Sequence, residues 1–271
     1  MPRDVAASRR RPSQIELGSD APLVKLARAK GLRAEFARLW LATRVGWAHG
    51  TRPWLGVSLS LASIAVALMV HFQAWHPELW RSGDVYAALP LTTELVRLPM
   101  SLFMPTAYLP LWGTILQLLV VIGLGELILG RSVTLFVAAA GHVGSTLVAR
   151  VLLESPHASI LGLTPAIAHL LDTGPSGATT AVGACLLVAM RMNRSALLLS
   201  LGLIIAALIA PGLDGVEHTV ALIVGLSAGA GARWAYSRRL NTSWARSLRD
   251  VRLIRFLRRR RPALAVMHDR Y

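Results

Sequence analysis

Apolar residues along this chain gather into uncharged runs separated by short segments that collect the charges. A bilayer-spanning helix needs about 20 mostly apolar residues, because hydrocarbon offers no partner to backbone N–H and C=O groups and only a helix satisfies them internally. Trp54 to Phe72 is one such run. A second uncharged stretch, Pro99 to Gly125, closes at Glu126, and the prolines at its start place the helix itself from about Leu109 to Ile128. The third run extends from Ser132 to about Leu153, with Arg150 near its end able to snorkel. Shorter runs follow at Gly174 to Met190, at Ser195 to Ala210 before Pro211, and at His218 to Ala232. The segment Ser155 to Leu171 is also uncharged, but Gly162, Pro165 and two histidines interrupt it, so it reads as a re-entrant or interfacial piece.

The charges between the runs decide the count. Turns after the second and fourth runs carry Arg131, Arg191 and Arg194, whereas those after the third and fifth carry Glu154, Asp172, Asp214 and Glu217. Six spans therefore obey the positive-inside rule, with both ends of the chain expected in the cytoplasm; a seventh would set Arg258, Arg259, Arg260 and Arg261 opposite the basic amino-terminal segment. Of the 29 Lys and Arg, 11 lie in residues 1–53 and 12 in residues 233–271, so the net charge of +15 belongs to the flanks. The basic residues border apolar runs and form no patch with interleaved aromatics, which argues against nucleic-acid binding. With 54% hydrophobic and 16% charged residues, the chain has too few charges to wet a soluble surface of its length.

This gives an all-α membrane protein in three parts: a basic cytoplasmic or interfacial segment (1–53), a six-span membrane domain (54–236) and an Arg-rich cytoplasmic tail (237–271). Residues 1–50 lack a secretory-signal pattern, and the plasma (inner) membrane is the expected location. Residues 23–47 and 247–261 are amphipathic, mixing Leu32, Phe36, Trp40, Leu253 and Phe256 with Lys and Arg. Both are expected to meet anionic lipid headgroups.

Few residues at membrane depth carry chemistry. Ser176 lies in Gly174-Pro175-Ser176-Gly177, where a fourth span begins, so free backbone N–H groups and the positive end of the helix dipole adjoin a potential nucleophile. An ordinary helix-capping serine gives the same local pattern. His218 opens the last run and is followed by Ala221, Gly225 and Gly229, a small-residue stripe that permits close helix approach. Asp214, four residues earlier, reads as a solvated loop carboxylate. His142 has no second ligand at helical spacing and reads as an interhelical histidine, and the single Cys185 forms neither a disulfide framework nor a thiolate site. No metal and no cofactor is expected.

In order and spacing these elements resemble the rhomboid family of intramembrane serine proteases. Arg97-Leu98-Pro99-Met100-Ser101-Leu102-Phe103 is similar to the family's first-loop pattern; Glu126 and Gly130 are similar to its Glu-x-x-x-Gly; and Ser176 and His218 fall on its GxSG and His-led glycine helix. The resemblance covers roughly residues 54–236. It implies a six-transmembrane-helix rhomboid-like bundle in which Ser176 is the nucleophile and His218 its base, Arg97 and Glu126 are structural, and transmembrane segments of other proteins are the substrates. Four positions depart from the pattern, the first being Val96, which stands in the first loop where the family has a tryptophan. Pro110 stands where the family has a histidine, and Thr114 where it has the oxyanion asparagine; Thr180 likewise replaces an aromatic. These departures carry the alternative expectation, a catalytically inactive member that binds the transmembrane helices of partners.

Overall fold

The computed structural model of the chain describes residues 31–72, 76–104, 110–155 and 158–240. Among these residues there are helices and turns and no strand. Helix α1 (Leu32–Ala48) precedes α2 (Trp54–His71), and α3 (His76–Gly83) and α4 (Leu91–Ser101) build the loop that leads to α5 (Leu111–Leu129). α5 is α-helical except for one π-helical stretch at Leu118–Ile122. Then come α6 (Arg131–Leu153), two 3₁₀ turns at Ala158–Leu161 and Pro165–His169, α7 (Ser176–Ala189), α8 (Asn193–Ile209) and α9 (Leu213–Leu240).

Four helices, α2, α5, α6 and residues 213–235 of α9, are long and apolar enough to cross a membrane; α7 and α8 are apolar but have 14 and 17 residues. The chain is an integral membrane protein. Large side chains such as Phe136, Ile205, Leu208 and Ile209 face outward, as lipid-facing residues do. Residues 158–171 form two short 3₁₀ turns and no span, in keeping with Gly162 and Pro165.

α7 is the buried axis. Leu118 and Ile122 of α5, Val137 of α6 and Ala221 of α9 close on its Ala181, Val182, Cys185 and Leu186. The close approach is made by glycines: a Cβ on Gly225 would lie 2.2 Å from the Ala181 carbonyl oxygen, one on Gly229 would lie 2.7 Å from that of Cys185, and one on Gly141 of α6 would lie 2.3 Å from the Ala181 Cβ. Contacts of 225 with 181 and 229 with 185 mean that α7 and α9 run in the same direction. α6 runs against them, because Gly141 meets Ala181 while Ser145 meets Gly177. α8 lies at the margin, with Ala196 its buried residue.

Helix ends differ from expectation in one way that matters. α9 begins at Leu213, five residues before His218, and takes in Asp214 and Glu217. Asp214 is exposed, as a solvated carboxylate should be, but it sits in the first helical turn and not in a loop. Glu217, assigned by its charge to the loop after the fifth run, is only 5% exposed. The carboxylate of Asp172, far away in sequence, lies near it. The amphipathic stretch 247–261, residues 23–30 and the rest of the Arg-rich tail from 241 lie outside the described residues.

Candidate active site

Ser176 is the first residue of α7. The chain reaches it through Gly174, whose φ of 107° suits only glycine, and Pro175. Two bonds hold this turn: the Gly174 N–H donates to the Ser101 carbonyl at 2.8 Å, and the Thr179 N–H to the Pro175 carbonyl at 2.9 Å. Gly177 is needed for fit, since a Cβ there would come 2.8 Å from Ser145 Oγ. His218 lies in the second turn of α9.

The glycine contacts set the register between them. If Gly225 is level with Ala181, Ala221 is level with Gly177, and His218 lies beside the Gly174–Pro175 turn, about 3 Å along the axis from the level of Ser176 at 1.5 Å per residue. Both side chains are half-buried. Among the described residues no hydrogen bond joins the Ser176 hydroxyl to the His218 ring.

Thr114 occupies a third corner. The Thr179 hydroxyl donates to Gln117 Oε1 at 3.1 Å, linking α5 to α7. One turn back along each helix are Thr114 and Ser176, so the two share a level. The Thr114 side chain is 1% exposed, and its Oγ1 has no hydrogen-bond partner. A buried hydroxyl left without a partner costs about 1–3 kcal/mol, so such an atom calls for a reason. Pro110 caps the start of α5, is exposed, and has no N–H to offer. Thr180 is half-buried on α7.

Arg97, Glu126 and Gly130 lie away from this corner. Arg97 Nη1 donates to the Asp84 carbonyl at 3.1 Å, within the α3–α4 loop. The Glu126 carboxylate accepts the Leu55 N–H and the Arg131 guanidinium, 2.8 Å away, and so joins the foot of α5 to the starts of α2 and α6. Gly130, at φ 87°, makes the sharp turn between α5 and α6.

A polar network around the Ser176 turn was not singled out from the sequence as a set. Asp172 accepts the Thr146 hydroxyl at 2.8 Å and donates its backbone N–H to Val85. Glu217 of α9 is buried close to this carboxylate, and its Oε1 has no hydrogen-bond partner. His142 Nε2 lies 3.0 Å from Ser101 Oγ and 3.1 Å from the Leu98 carbonyl oxygen, so it is the satisfied interhelical histidine its spacing suggested. Arg150 pairs with Glu94, which is fully buried, and donates to the Leu89 carbonyl at 2.6 Å. Burial pushes the Glu94 carboxyl up, while Arg150 pulls it down. Asp84 is likewise raised by burial, against Arg97. The network ties the α3–α4 loop and α6 to the residues that precede Ser176. The charges are visible in the sequence; what pairs them is contact between residues from 13 positions apart, for Arg97 and Asp84, to 56 apart, for Arg150 and Glu94. No group of acidic, histidine or cysteine side chains among the described residues is arranged to hold a metal ion.

Comparison of the chain with protein-family models, curated proteins and solved structures gives no significant match.

Proposed function

We propose that this chain is an intramembrane serine peptidase of the rhomboid type, with six spans and cytoplasmic termini, that cuts transmembrane segments with a Ser176–His218 dyad. The observation that carries the reading is the unpartnered, buried Thr114 hydroxyl on the level of Ser176. Ser176 Oγ attacks the scissile carbonyl carbon, and its proton passes to a ring nitrogen of His218. The carbonyl oxygen becomes an oxyanion, which receives the Thr114 hydroxyl and the free N–H groups at the start of α7. His218 then returns the proton to the departing amine, and water, activated by the same ring, releases the acyl group. The close α7–α9 contact through Gly225 and Gly229 supports this pairing, because nucleophile and base stand on different helices.

A second reading has its own support. The Ser176 and His218 side chains are not hydrogen-bonded, and Pro110 contributes no donor, which favours a catalytically silent protein that uses the fold to bind membrane helices. Turnover of a fluorescent transmembrane substrate in liposomes separates the two. The peptidase reading expects cleavage by the wild type that is lost in Ser176→Ala and His218→Ala; equal background rates in all three folded proteins favour the silent binder.

A further inference from the structure

We propose that α1 is a docking surface for an anionic phospholipid leaflet, and that Glu35 ties that docking to the first turn of α8. This does not depend on the peptidase reading.

One side of α1 is held against the bundle. The Glu35 carboxylate, on a residue only 4% exposed, accepts the backbone N–H groups of Arg194 and Ser195 at 3.0 and 2.9 Å and the Ser195 hydroxyl at 2.6 Å. It thus caps the N-terminus of α8 from another helix, where negative charge is favoured. Burial opposes the charge, but these bonds prevail and hold the carboxyl below its usual range. Arg38 adds a bond to the Arg191 carbonyl at 2.9 Å. Near the other end of α1, Gly46 meets the α5 backbone so closely that a Cβ would lie 2.4 Å from the Leu127 carbonyl oxygen. The orientation of α1 is therefore fixed at both ends.

The outward side is apolar and basic. Leu32, Phe36, Trp40 and Trp47 fall on one helical face and are all exposed, the two tryptophans by more than half. Arg33 and Arg44, both exposed, run along one edge of that stripe. Such a face does not suit water, and its place in the chain specifies its solvent: α1 ends six residues before the apolar span that opens at Trp54, so it lies at the bilayer edge. The charge there points to an anionic partner. Arg131, Arg191 and Arg194 stand at the same end of the bundle, and Arg52, stacked 4.4 Å over the Trp47 ring, lines with Arg131, Thr51 and Trp54 an open cavity of about 310 Å³. Glu126 also borders this cavity, but its carboxylate is taken up by the Leu55 N–H and Arg131. Aromatic rings at headgroup depth and arginines toward phosphate are the arrangement an anionic leaflet recognises.

The test is hydrogen–deuterium exchange of the full chain in nanodiscs of phosphatidylcholine alone and of phosphatidylcholine with phosphatidylglycerol. The expected result is that exchange over residues 34–48 and at the Arg194 and Ser195 amides slows by roughly tenfold in the anionic discs. Arg33→Glu with Arg44→Glu should abolish that response. Glu35→Ala should keep the response of α1 and lose it at Arg194 and Ser195. Equal exchange of the wild type in both lipids overturns the docking, and protection that follows the number of protein copies per disc assigns the face to a second copy instead. A lipid response at Arg194 and Ser195 that survives in Glu35→Ala overturns the coupling.

Discussion

The Thr179 hydroxyl donates to Gln117 Oε1 at 3.1 Å, and this bond sets α5 against α7 so that Thr114 comes level with Ser176. The relationship gives a physical sense to an atom that is otherwise a cost. A buried hydroxyl without a partner destabilises a folded protein; in the peptidase proposed above, the same hydroxyl would lower a transition state in which charge develops beside it.

Thr114 therefore separates stability from catalysis. Thr114→Val removes an unsatisfied polar atom while keeping the shape, so thermal unfolding in detergent should be unchanged or slightly improved. Turnover should fall by about 10²-fold, the usual effect of losing one oxyanion donor. Thr114→Asn, which supplies a longer amide donor, should preserve or raise turnover. A Val variant with full turnover removes Thr114 from the mechanism.

The glycine seam makes a different demand. Gly225→Ala places a methyl group 2.2 Å from the Ala181 carbonyl oxygen, a backbone atom that cannot swing aside. α7 and α9 must separate, with an expected loss of about 1–3 kcal/mol from overpacking and a loss of activity alongside it. Gly202→Ala, where a Cβ meets nothing, is the matched control and should leave both unchanged. Equal unfolding midpoints for the two variants would contradict the close packing.

Breaking the buried ion pair has a pH signature. Arg150→Met leaves the fully buried Glu94 carboxylate without its cation and should cost about 3–5 kcal/mol near neutral pH. Burial already raises the Glu94 carboxyl, so the folded state holds its proton more firmly than the unfolded chain. The lost stability should then return as pH falls through the carboxylate range and the charge is neutralised. A deficit independent of pH would place the cost in packing and not in the unpaired charge.

Orientation can be read by chemical access. Cysteines at His49 and Asn193 should be shielded from impermeant thiol reagents in intact cells, and those at Ser159 and Asp214 should react; all four positions are exposed. The native Cys185 is buried and should stay silent. Labelling from outside at Asn193 would overturn the even span count.

The membrane class and most helix limits were legible because hydrocarbon imposes a length and a composition that the apolar runs display directly. α6 and α7 begin and end within two residues of the runs from Ser132 and Gly174. The first turn of α9 was not legible, since Asp214 and Glu217 look like loop residues, whereas the helix begins at Leu213 and buries Glu217. Glu35 was hidden in the same way: its partners are backbone amides about 160 residues away, and no side-chain pattern announces a cap supplied by another helix. The π-helical stretch in α5 left no mark in composition. Ser176, His218 and Thr114 were named from motif spacing, and the geometry adds the register that relates them.

The central claim is that Ser176 is an activated nucleophile. Its most direct measurement is labelling of the membrane-embedded protein with a fluorophosphonate, followed by identification of the modified residue in the wild type, Ser176→Ala and His218→Ala. The account predicts an adduct on Ser176 in the wild type, none in Ser176→Ala, and a rate of labelling reduced by at least about 10²-fold in His218→Ala, because the base that takes the Oγ proton is gone. No adduct in a folded wild type, or labelling of Ser176 at the same rate without His218, would contradict it.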